Sequence, residues 1–330
     1  MERNFNLIVG HTPLIEIIFR YKSEVRRLYA KYESFNMTGS IKDRMALHVL
    51  RESYNQGLLK EGDEIVEATS GNTGISIAAI GRALGHPIKI YMPDWMSEER
   101  KSIIRGFGAE IRLVSKEEGG FLGSIQMAKD YAATKNNVFL PSQFDNPLNI
   151  DAHYKTTGPE IWDRMQLHNM TVDAFVAGVG TGGTVMGTGK YLKERNPKVK
   201  AHPLEPSNSP TLSTGHKVGK HHIQGISDEF IPSIVNLDVL DEIVQVDDGD
   251  AIIMAQKFAR NLGLGLGISS GANFLGAIIA QNKISPEATV VTVFSDSNKK
   301  YLSTDLASEE PVKPGFLSSD VELIQFRVLR

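Results

Sequence analysis

The sequence of 330 residues contains no cysteine. This absence excludes disulfide bonds, iron–sulfur clusters, thiolate zinc sites and a cysteine nucleophile. The chain also lacks any run of 18 apolar residues and has no apolar segment at its N-terminus. We therefore expect no membrane-spanning helix and no secretory signal peptide. A protein without cysteine is compatible with the cytoplasm, which we take as the expected location.

An excess of one charge sign is also missing, because 36 basic and 39 acidic side chains give a formal net charge of −3. Such a chain has no general attraction to nucleic acid or to an acidic membrane, and we expect neither as a partner. Hydrophobic residues make up 41% of the chain, enough for a substantial core. The length allows two domains.

Short apolar segments alternate with helical patterns along most of the sequence. The first half has four strand-like segments, at residues 64–68, 87–92, 110–114 and 138–140. Helical patterns lie between them, at residues 72–84, 97–107 and 124–133. After a break near residues 145–149 the pattern restarts with a near-continuous apolar strand at residues 172–177. This alternation predicts an α/β protein whose parallel sheets have helices on their faces.

The first of four glycine-containing clusters is Thr-Ser-Gly-Asn-Thr-Gly at residues 69–74, directly after the strand that ends at Ala68. Glycine lets the backbone approach a ligand closely, and a helix N-terminus offers free N–H groups to an anion. Hydroxyl and amide groups at such a turn suit a carboxylate. The alternative is an ordinary turn whose serine and threonine side chains cap the helix.

The second cluster, at residues 178–184, contains the pattern G-x-G-x-x-G and follows the buried strand. Glu205 lies 22 residues beyond the last glycine of the pattern, as in a dinucleotide-binding fingerprint. A nicotinamide-dependent (NAD) oxidoreductase therefore stays open as an alternative. Thr181 and Thr184 make the loop better suited to a single phosphate, because hydroxyls and amides converge on one group.

The third cluster, Gly39–Arg44, places Lys42 among hydroxyls ahead of an apolar helix. A buried lysine loses its proton readily and can form a Schiff base, although an isolated lysine at a helix start is more often exposed. The fourth, at residues 267–272, offers two serines. We interpret all four clusters as strand-to-helix turns, where ligands bind in open α/β sheets. Together they match the needs of pyridoxal phosphate (PLP): a lysine, a phosphate site and a partner for the ring nitrogen.

With these motifs in place, the sequence resembles the cysteine synthase (O-acetylserine sulfhydrylase) and cystathionine β-synthase family of fold-type II PLP-dependent enzymes. The resemblance extends from His11 to Thr304. Its most specific motifs lie at residues 39–44, 67–74, 143–149, 156–162, 178–184 and 267–272. It implies an α/β fold of two three-layer αβα domains with mostly parallel sheets, like the β subunit of tryptophan synthase.

The resemblance also implies a domain division. Residues 38–149 would form a smaller, mobile substrate-binding domain, and residues 1–37 with 150–306 the larger PLP-binding domain. Residues 307–330 would form a C-terminal extension. Family members are mostly homodimers, so we expect a homodimer here and expect residues 321–330 to pack across its interface.

Site roles follow from the same resemblance. Lys42 would hold PLP covalently, Asn72 would hydrogen-bond its ring oxygen, and Ser269 would face its ring nitrogen. The phosphate would lie against Gly180, Thr181, Gly182, Gly183 and Thr184. The carboxylate of the substrate would be bound by Thr69, Ser70, Gly71, Thr73 and Gln143.

The implied activity is β-elimination or β-replacement on a small amino acid, O-acetylserine or L-cysteine, through an α-aminoacrylate in sulfur amino-acid metabolism. The partners would be that amino acid and sulfide, and the enzyme would be a lyase or a transferase. Lys42 would remove the α-proton as general base. A neutral Ser269 at the ring nitrogen makes the ring a weaker electron sink than an aspartate would, which favours these reactions over transamination.

One loop departs from the family pattern. Residues 225–230 read Gly-Ile-Ser-Asp-Glu-Phe where cysteine synthases usually carry Gly-Ile-Gly-x-Gly-Phe. If Asp228 activates water, the enzyme would be a cysteine-degrading lyase that releases hydrogen sulfide and forms L-serine or pyruvate. The other interpretation is that Asp228 and Glu229 face solvent. No metal site is predicted, because His216, His221 and His222 match no ligand spacing.

Overall fold

The computed structural model describes residues 4–330, which form two β-sheets flanked by helices. The strands are β1 (Leu14–Tyr21), β2 (Glu24–Tyr32), β3 (Glu64–Ala68), β4 (Ile88–Pro93), β5 (Glu110–Val114), β6 (Val138–Phe139), β7 (Ala174–Gly178), β8 (Lys200–Pro206), β9 (Val244–Val246), β10 (Val290–Phe294) and β11 (Val321–Leu329). The α-helices are α1 (Lys42–Asn55), α2 (Asn72–Leu84), α3 (Glu98–Gly106), α4 (Gly120–Ala133), α5 (Leu148–Lys155), α6 (Thr157–Leu167), α7 (Gly183–Arg195), α8 (Thr211–Thr214), α9 (Asp248–Leu262) and α10 (Ile268–Ile284).

The smaller sheet has four strands in the order β5-β4-β3-β6, and every neighbouring pair is parallel. Its core forms where the apolar positions of α2 meet the strands. Ile75, Ile77 and Ile80 of α2 share one buried cluster with Ile65 of β3 and Ile90 of β4. These buried contacts hold α2, and thus the turn before it, at the end of β3.

The larger sheet has seven strands in the order β11-β1-β2-β10-β7-β8-β9. The strands from β2 to β9 run parallel, while β1 is antiparallel to both β2 and β11. Alternate residues of β7 enter two cores, since Val176 packs with α9 and α10 and Phe175 with α6 and α7. Helices therefore cover both faces of this sheet. One parallel and one mostly parallel sheet, each with flanking helices, confirm the predicted fold class.

The C-terminal strand β11 pairs with β1 of the same chain along its whole length, from Leu14 opposite Leu329 to Tyr21 opposite Val321. The expected C-terminal extension is thus the edge strand of the larger sheet. The segment pairs with β1, and Val321 and Leu323 enter the core of this chain. Its expected packing across a dimer interface stays a prediction. The domain limits at residues 38, 149 and 306 stay a prediction, as does the homodimer.

Two of the four glycine clusters differ from the predicted strand-to-helix turns. The cluster at residues 39–44 follows a short 3-10 turn after β2 rather than a strand. Gly267 follows a segment in which Leu266 makes only a single bridge, to Ser297. Ser40 and Leu266 each make one isolated bridge, to Asp296 and Ser297, so neither segment is paired over enough residues to form a strand. Within residues 4–330, no helix is long and apolar enough to cross a membrane.

Candidate active site

A cavity at the carboxyl ends of β3, β7 and β10 brings the predicted site residues together. Those that line it are Lys42, Thr69, Ser70, Gly71, Asn72, Thr73, Gln143, Gly180, Thr181, Gly182, Thr184, Asp228 and Ser269. Gly183 is the exception, because it begins α7 behind the lining. A Cβ atom on Gly183 would lie 2.1 Å from Oδ1 of Asn149, so this glycine permits close packing under the loop.

Lys42 and Asp228 are opposite charges in this cavity, and each is partly buried. Burial lowers the pKa of Lys42 to about 8, although the Asp228 carboxylate acts in the opposite direction. Burial likewise raises the pKa of Asp228 to about 6, with Lys42 again opposing the shift. Both groups therefore titrate within about one unit of neutral pH, which suits groups that accept and return protons.

Glu229, the neighbour of Asp228, does not line the cavity. Its carboxylate forms an ion pair with Lys217, with 2.8 Å between Oε1 and Nζ. The two acidic residues of the unusual loop therefore differ in position. Asp228 faces the site, and Glu229 lies in an outer, partly exposed salt bridge.

The backbone of the unusual loop aims Asp228 into the cavity. Ser227 has a φ of +53°, a left-handed conformation that is uncommon for a residue other than glycine. Its hydroxyl donates to the carbonyl of Ser209 at 2.9 Å, and the hydroxyl of Thr211 donates to the carbonyl of Asp228 at 3.2 Å. These contacts with the segment at the start of α8 hold the strained turn in place.

The loop between β7 and α7 is built for close backbone approach. A Cβ atom on Gly180 would lie 2.2 Å from the carbonyl oxygen of Gly225, and Gly182 has a φ of +85°. Within residues 4–330, no protein group accepts a hydrogen bond from the backbone N–H of Gly180, Thr181 or Gly182. Free N–H groups at the positive end of a helix form an anion site, so this loop fits a phosphate group.

Two buried side chains support that loop from below. Nδ2 of Asn149 donates to the hydroxyl of Thr181 and to the carbonyl of Gln143, both at 2.9 Å. His153 has Nε2 3.4 Å from the hydroxyl of Thr184, and burial lowers its pKa to about 3. His153 is therefore neutral at physiological pH and adds no charge to the anion site. The sequence interpretation assigned no role to Asn149, although it ended one of the family motifs.

Two of the predicted carboxylate-binding residues, Thr73 and Gln143, belong to one hydrogen-bonded unit. The hydroxyl of Thr73 donates to Oε1 of Gln143 at 2.7 Å, and Nε2 of Gln143 donates to the carbonyl of Ala68 at 2.8 Å. Below them, the backbone N–H of Gln143 donates to Glu67 at 3.2 Å. Burial raises the pKa of Glu67 to about 7. The unit joins the turn before α2 to the segment after β6, and so shapes one wall of the cavity.

Arg100 is a cavity residue that the sequence interpretation missed. It is buried on α3, and its guanidinium lies 4.9 Å from the centre of the Tyr301 ring. Its Nε atom is buried and has no hydrogen-bond partner among residues 4–330. No local pattern identified Arg100, because its partner Tyr301 follows β10, far away in the sequence.

Glu205 does not face the cavity, which removes the basis of the dinucleotide alternative. It is fully buried, and its carboxylate accepts hydrogen bonds from the backbone N–H of Leu212 at 2.7 Å and from Nε2 of Gln245 at 3.0 Å. A ribose would need these same oxygens. The acid of the apparent fingerprint is instead a structural cap for α8.

Comparison with known proteins decides the family. The family model of pyridoxal-phosphate dependent enzymes matches residues 5–296. The chain belongs to this family. PLP is therefore the cofactor, as predicted, and the oxidoreductase alternative was wrong. The cavity fits this group, because it combines a lysine of lowered pKa with a glycine loop whose N–H groups are free.

Three similar proteins are named for cysteine synthesis or for hydrogen sulfide production. A probable cysteine synthase of Bacillus subtilis is 43% identical over 301 residues, which cover 91% of this chain and 96% of the relative. A hydrogen sulfide-producing enzyme of Fusobacterium nucleatum is 60% identical, with a TM-score of 0.95 over 98% of this chain and 97% of that one. A cysteine synthase of Entamoeba histolytica is 34% identical, with a TM-score of 0.85 over 97% and 95% of the two chains. These matches confirm the resemblance to cysteine synthases.

Proposed function

We propose that this PLP-dependent enzyme converts L-cysteine and water into L-serine and hydrogen sulfide. The observation that carries this proposal is the position of Asp228, a carboxylate inside the cavity opposite Lys42. Further support comes from the 60% identity to a protein named for hydrogen sulfide production. The site roles stated below are part of the proposal.

Binding and orientation of the amino acid come from the turn before α2. Thr69 and Ser70 offer hydroxyl groups, and Gln143 offers its second amide hydrogen, to the α-carboxylate that every amino acid carries. Thr73 lines the same wall and holds Gln143 in place. When bound, PLP supplies an electron sink that makes the α-proton acidic and the β-substituent able to leave. The amine of Lys42 accepts the α-proton, because a lysine with a pKa near 8 is partly neutral at physiological pH.

Water addition is the step assigned to Asp228. Ionised Asp228 accepts a proton from water as the oxygen bonds to the β-carbon. The sulfur leaves as HS⁻ and takes up one proton from solvent to become hydrogen sulfide. Asp228 gives the proton that it removed from water back to solvent, and Lys42 returns to the α-carbon the proton that it accepted. One C–S bond breaks, one C–O bond forms and no electrons are transferred, so the reaction needs no oxidant or reductant.

Cysteine synthesis from O-acetylserine and sulfide is the second candidate function. It is favoured by the cysteine synthases among the relatives and by a carboxylate-binding unit that does not distinguish one amino acid from another. Release of pyruvate would require that water fail to add at the β-carbon and that water instead hydrolyse the released product to pyruvate and ammonia. A homodimer and a cytoplasmic location, both implied by the sequence interpretation, remain parts of the proposal.

The test compares Asp228→Asn with Glu229→Gln in the PLP-loaded enzyme supplied with L-cysteine. Serine, pyruvate and sulfide are measured together by chromatography and a sulfide assay. We expect Asp228→Asn to lower serine formation by about 100-fold or more, the range for loss of a general base. The control Glu229→Gln should keep the wild-type rate, because its carboxylate lies in an outer salt bridge.

Two results would contradict the proposal. Serine formation that persists in Asp228→Asn would remove Asp228 from the reaction. A wild-type enzyme that makes no serine from cysteine, but makes cysteine from O-acetylserine and sulfide, would establish the second candidate instead.

A further inference from the structure

Asn72, the first residue of α2, is held between two charged side chains that follow β10. Its Nδ2 donates to Oδ2 of Asp296 at 2.7 Å, and its Oδ1 accepts from Nζ of Lys300 at 2.8 Å. Asp296 and Lys300 are both buried, and Asn72 itself lines the cavity. A single amide of the site is therefore in contact with a carboxylate and an ammonium group, both shielded from solvent.

These two partners permit only one orientation of the amide. A carboxylate only accepts hydrogen bonds, and an ammonium group only donates them. A rotated Asn72 side chain would place its oxygen against Asp296 and its nitrogen against Lys300, losing both bonds. Nδ2 carries two hydrogens and Asp296 uses one, so the correct orientation leaves one N–H group free.

The partners are themselves fixed in place. The hydroxyl of Tyr301 donates to Oδ2 of Asp296 at 2.7 Å. Gly267 lies so close that a Cβ atom there would be 2.0 Å from Oδ1 of Asp296. Nζ of Lys300 also lies 3.4 Å from the carbonyl oxygen of Gly39, just before Lys42 in the chain. Neither charged group can swing away from Asn72 without disturbing buried neighbours.

We propose that Asp296 and Lys300 are positioning residues that direct the free N–H of Asn72 to the ring oxygen of PLP. The proposal rests on the proposed role of Asn72 as the ligand of that oxygen. The positive charge of Lys300 on Oδ1 also polarises the amide, which makes the free N–H a stronger donor. We call Asp296 and Lys300 the clamp on Asn72. The clamp acts through Asn72 and not on the reacting atoms directly.

The first test measures PLP affinity and the absorption maximum of bound PLP, starting from the apoenzyme. We expect Lys300→Met to bind PLP at least about tenfold more weakly than the wild type does, the range for loss of one hydrogen bond to a charged group. The absorption maximum of bound PLP should shift as well. Lys300→Arg should retain most of the affinity because it keeps a charged donor. The matched control is Lys299→Met, which removes the same charge from the exposed neighbouring position.

A double-mutant cycle with Asn72→Ala separates positioning from a merely structural effect. If Lys300 acts through Asn72, Lys300→Met should weaken PLP binding in the wild-type background and add nothing in the Asn72→Ala background. An equal loss in both backgrounds would overturn the proposal. If Lys300→Met does not fold, Asp296→Asn serves instead, since a neutral amide of the same shape accepts either orientation of Asn72.

The proposed role of Asn72 in binding PLP can be disproved independently of the proposed reaction. If Asn72→Ala binds PLP as tightly as the wild type, the clamp has no ligand to position and the proposal is overturned. Serine formation that is lost in Asp228→Asn would still support the reaction. Thermal unfolding of each variant shows whether a change in PLP affinity occurs in a folded protein.

Discussion

The pH dependence of serine formation follows from the burial of Asp228. Only the ionised carboxylate accepts a proton from water, so the rate requires a pH above the pKa of this group. Burial raises that pKa from the ordinary 3.8 to about 6. The activity should therefore be present above about pH 6 and decline as the pH falls through that value.

The magnitude follows from the ionised fraction. With a pKa near 6, Asp228 is about 90% ionised at pH 7, about 50% at pH 6 and about 10% at pH 5. Ionisation of Asp228 should thus lower serine formation about tenfold between pH 7 and pH 5, in addition to any fall that the loss of neutral Lys42 causes. An aspartate with its ordinary pKa would remain more than about 90% ionised at pH 5 and would add almost no fall of its own over this range.

The assay follows serine release at saturating L-cysteine between pH 5 and pH 8, with PLP in excess. Glu229→Gln is the control, because its profile should match that of the wild type. Enzyme returned from pH 5 to pH 7 should recover its rate, which separates titration from unfolding. A flat wild-type profile, or the same inflection in the residual activity of Asp228→Asn, would refute the assignment.

Two further predictions concern stability and cofactor binding. Although burial raises the pKa of Glu160, its hydrogen bonds to Arg44 lower the pKa to about 2. Glu160→Gln should therefore lower the free energy of unfolding, measured in urea, by about 3–5 kcal/mol. Glu322→Gln, which changes an exposed ion pair, should lower it by less than about 1 kcal/mol. Gly180→Ala should abolish PLP binding in a titration followed by absorbance, because its Cβ would meet a carbonyl oxygen 2.2 Å away. Gly106→Ala, where a Cβ meets nothing, should bind PLP normally.

These two predictions also have clear contrary outcomes. Equal effects of Glu160→Gln and Glu322→Gln would mean that burial does not decide the strength of these ion pairs. The contribution of ionised Glu160 should be complete above about pH 4.5 and be lost as the pH falls toward about 2, since its folded-state pKa is lowered. Normal PLP affinity in Gly180→Ala would show that the loop can move away from its neighbour.

Local sequence patterns predicted the elements that carry the cofactor and substrate groups. The apolar spacing at residues 72–84 predicted a helix that the structure places at Asn72–Leu84, and residues 97–107 correspond to α3 at Glu98–Gly106. Because each helix starts directly after its turn, the residues of those turns could be assigned to one cavity. The motifs at these turns predicted the family and the cofactor, and the family model that matches residues 5–296 confirms both.

Contacts between distant segments could not be predicted in this way. The clamp on Asn72 comes from Asp296 and Lys300, and no periodicity links positions so far apart in the sequence. The direction of Asp228 depends on the left-handed backbone of Ser227, which sequence patterns do not favour. The β1–β2 hairpin was likewise not recognised, because β1 and the second half of β2 are buried at consecutive positions and show little alternation.

The pairing of β1 with β11 has a consequence for synthesis of the protein. A ribosome produces β1 before the other strands that the structure describes and produces β11 after all of them. Until β11 emerges, the outer edge of β1 presents unpaired backbone groups beside the apolar side chains of Ile15, Ile17 and Phe19. Such an edge favours association with other nascent chains. Messages truncated before residue 321 should therefore yield more aggregated protein than the full message, because the apolar side chains of β1 then lie beside an unpaired edge.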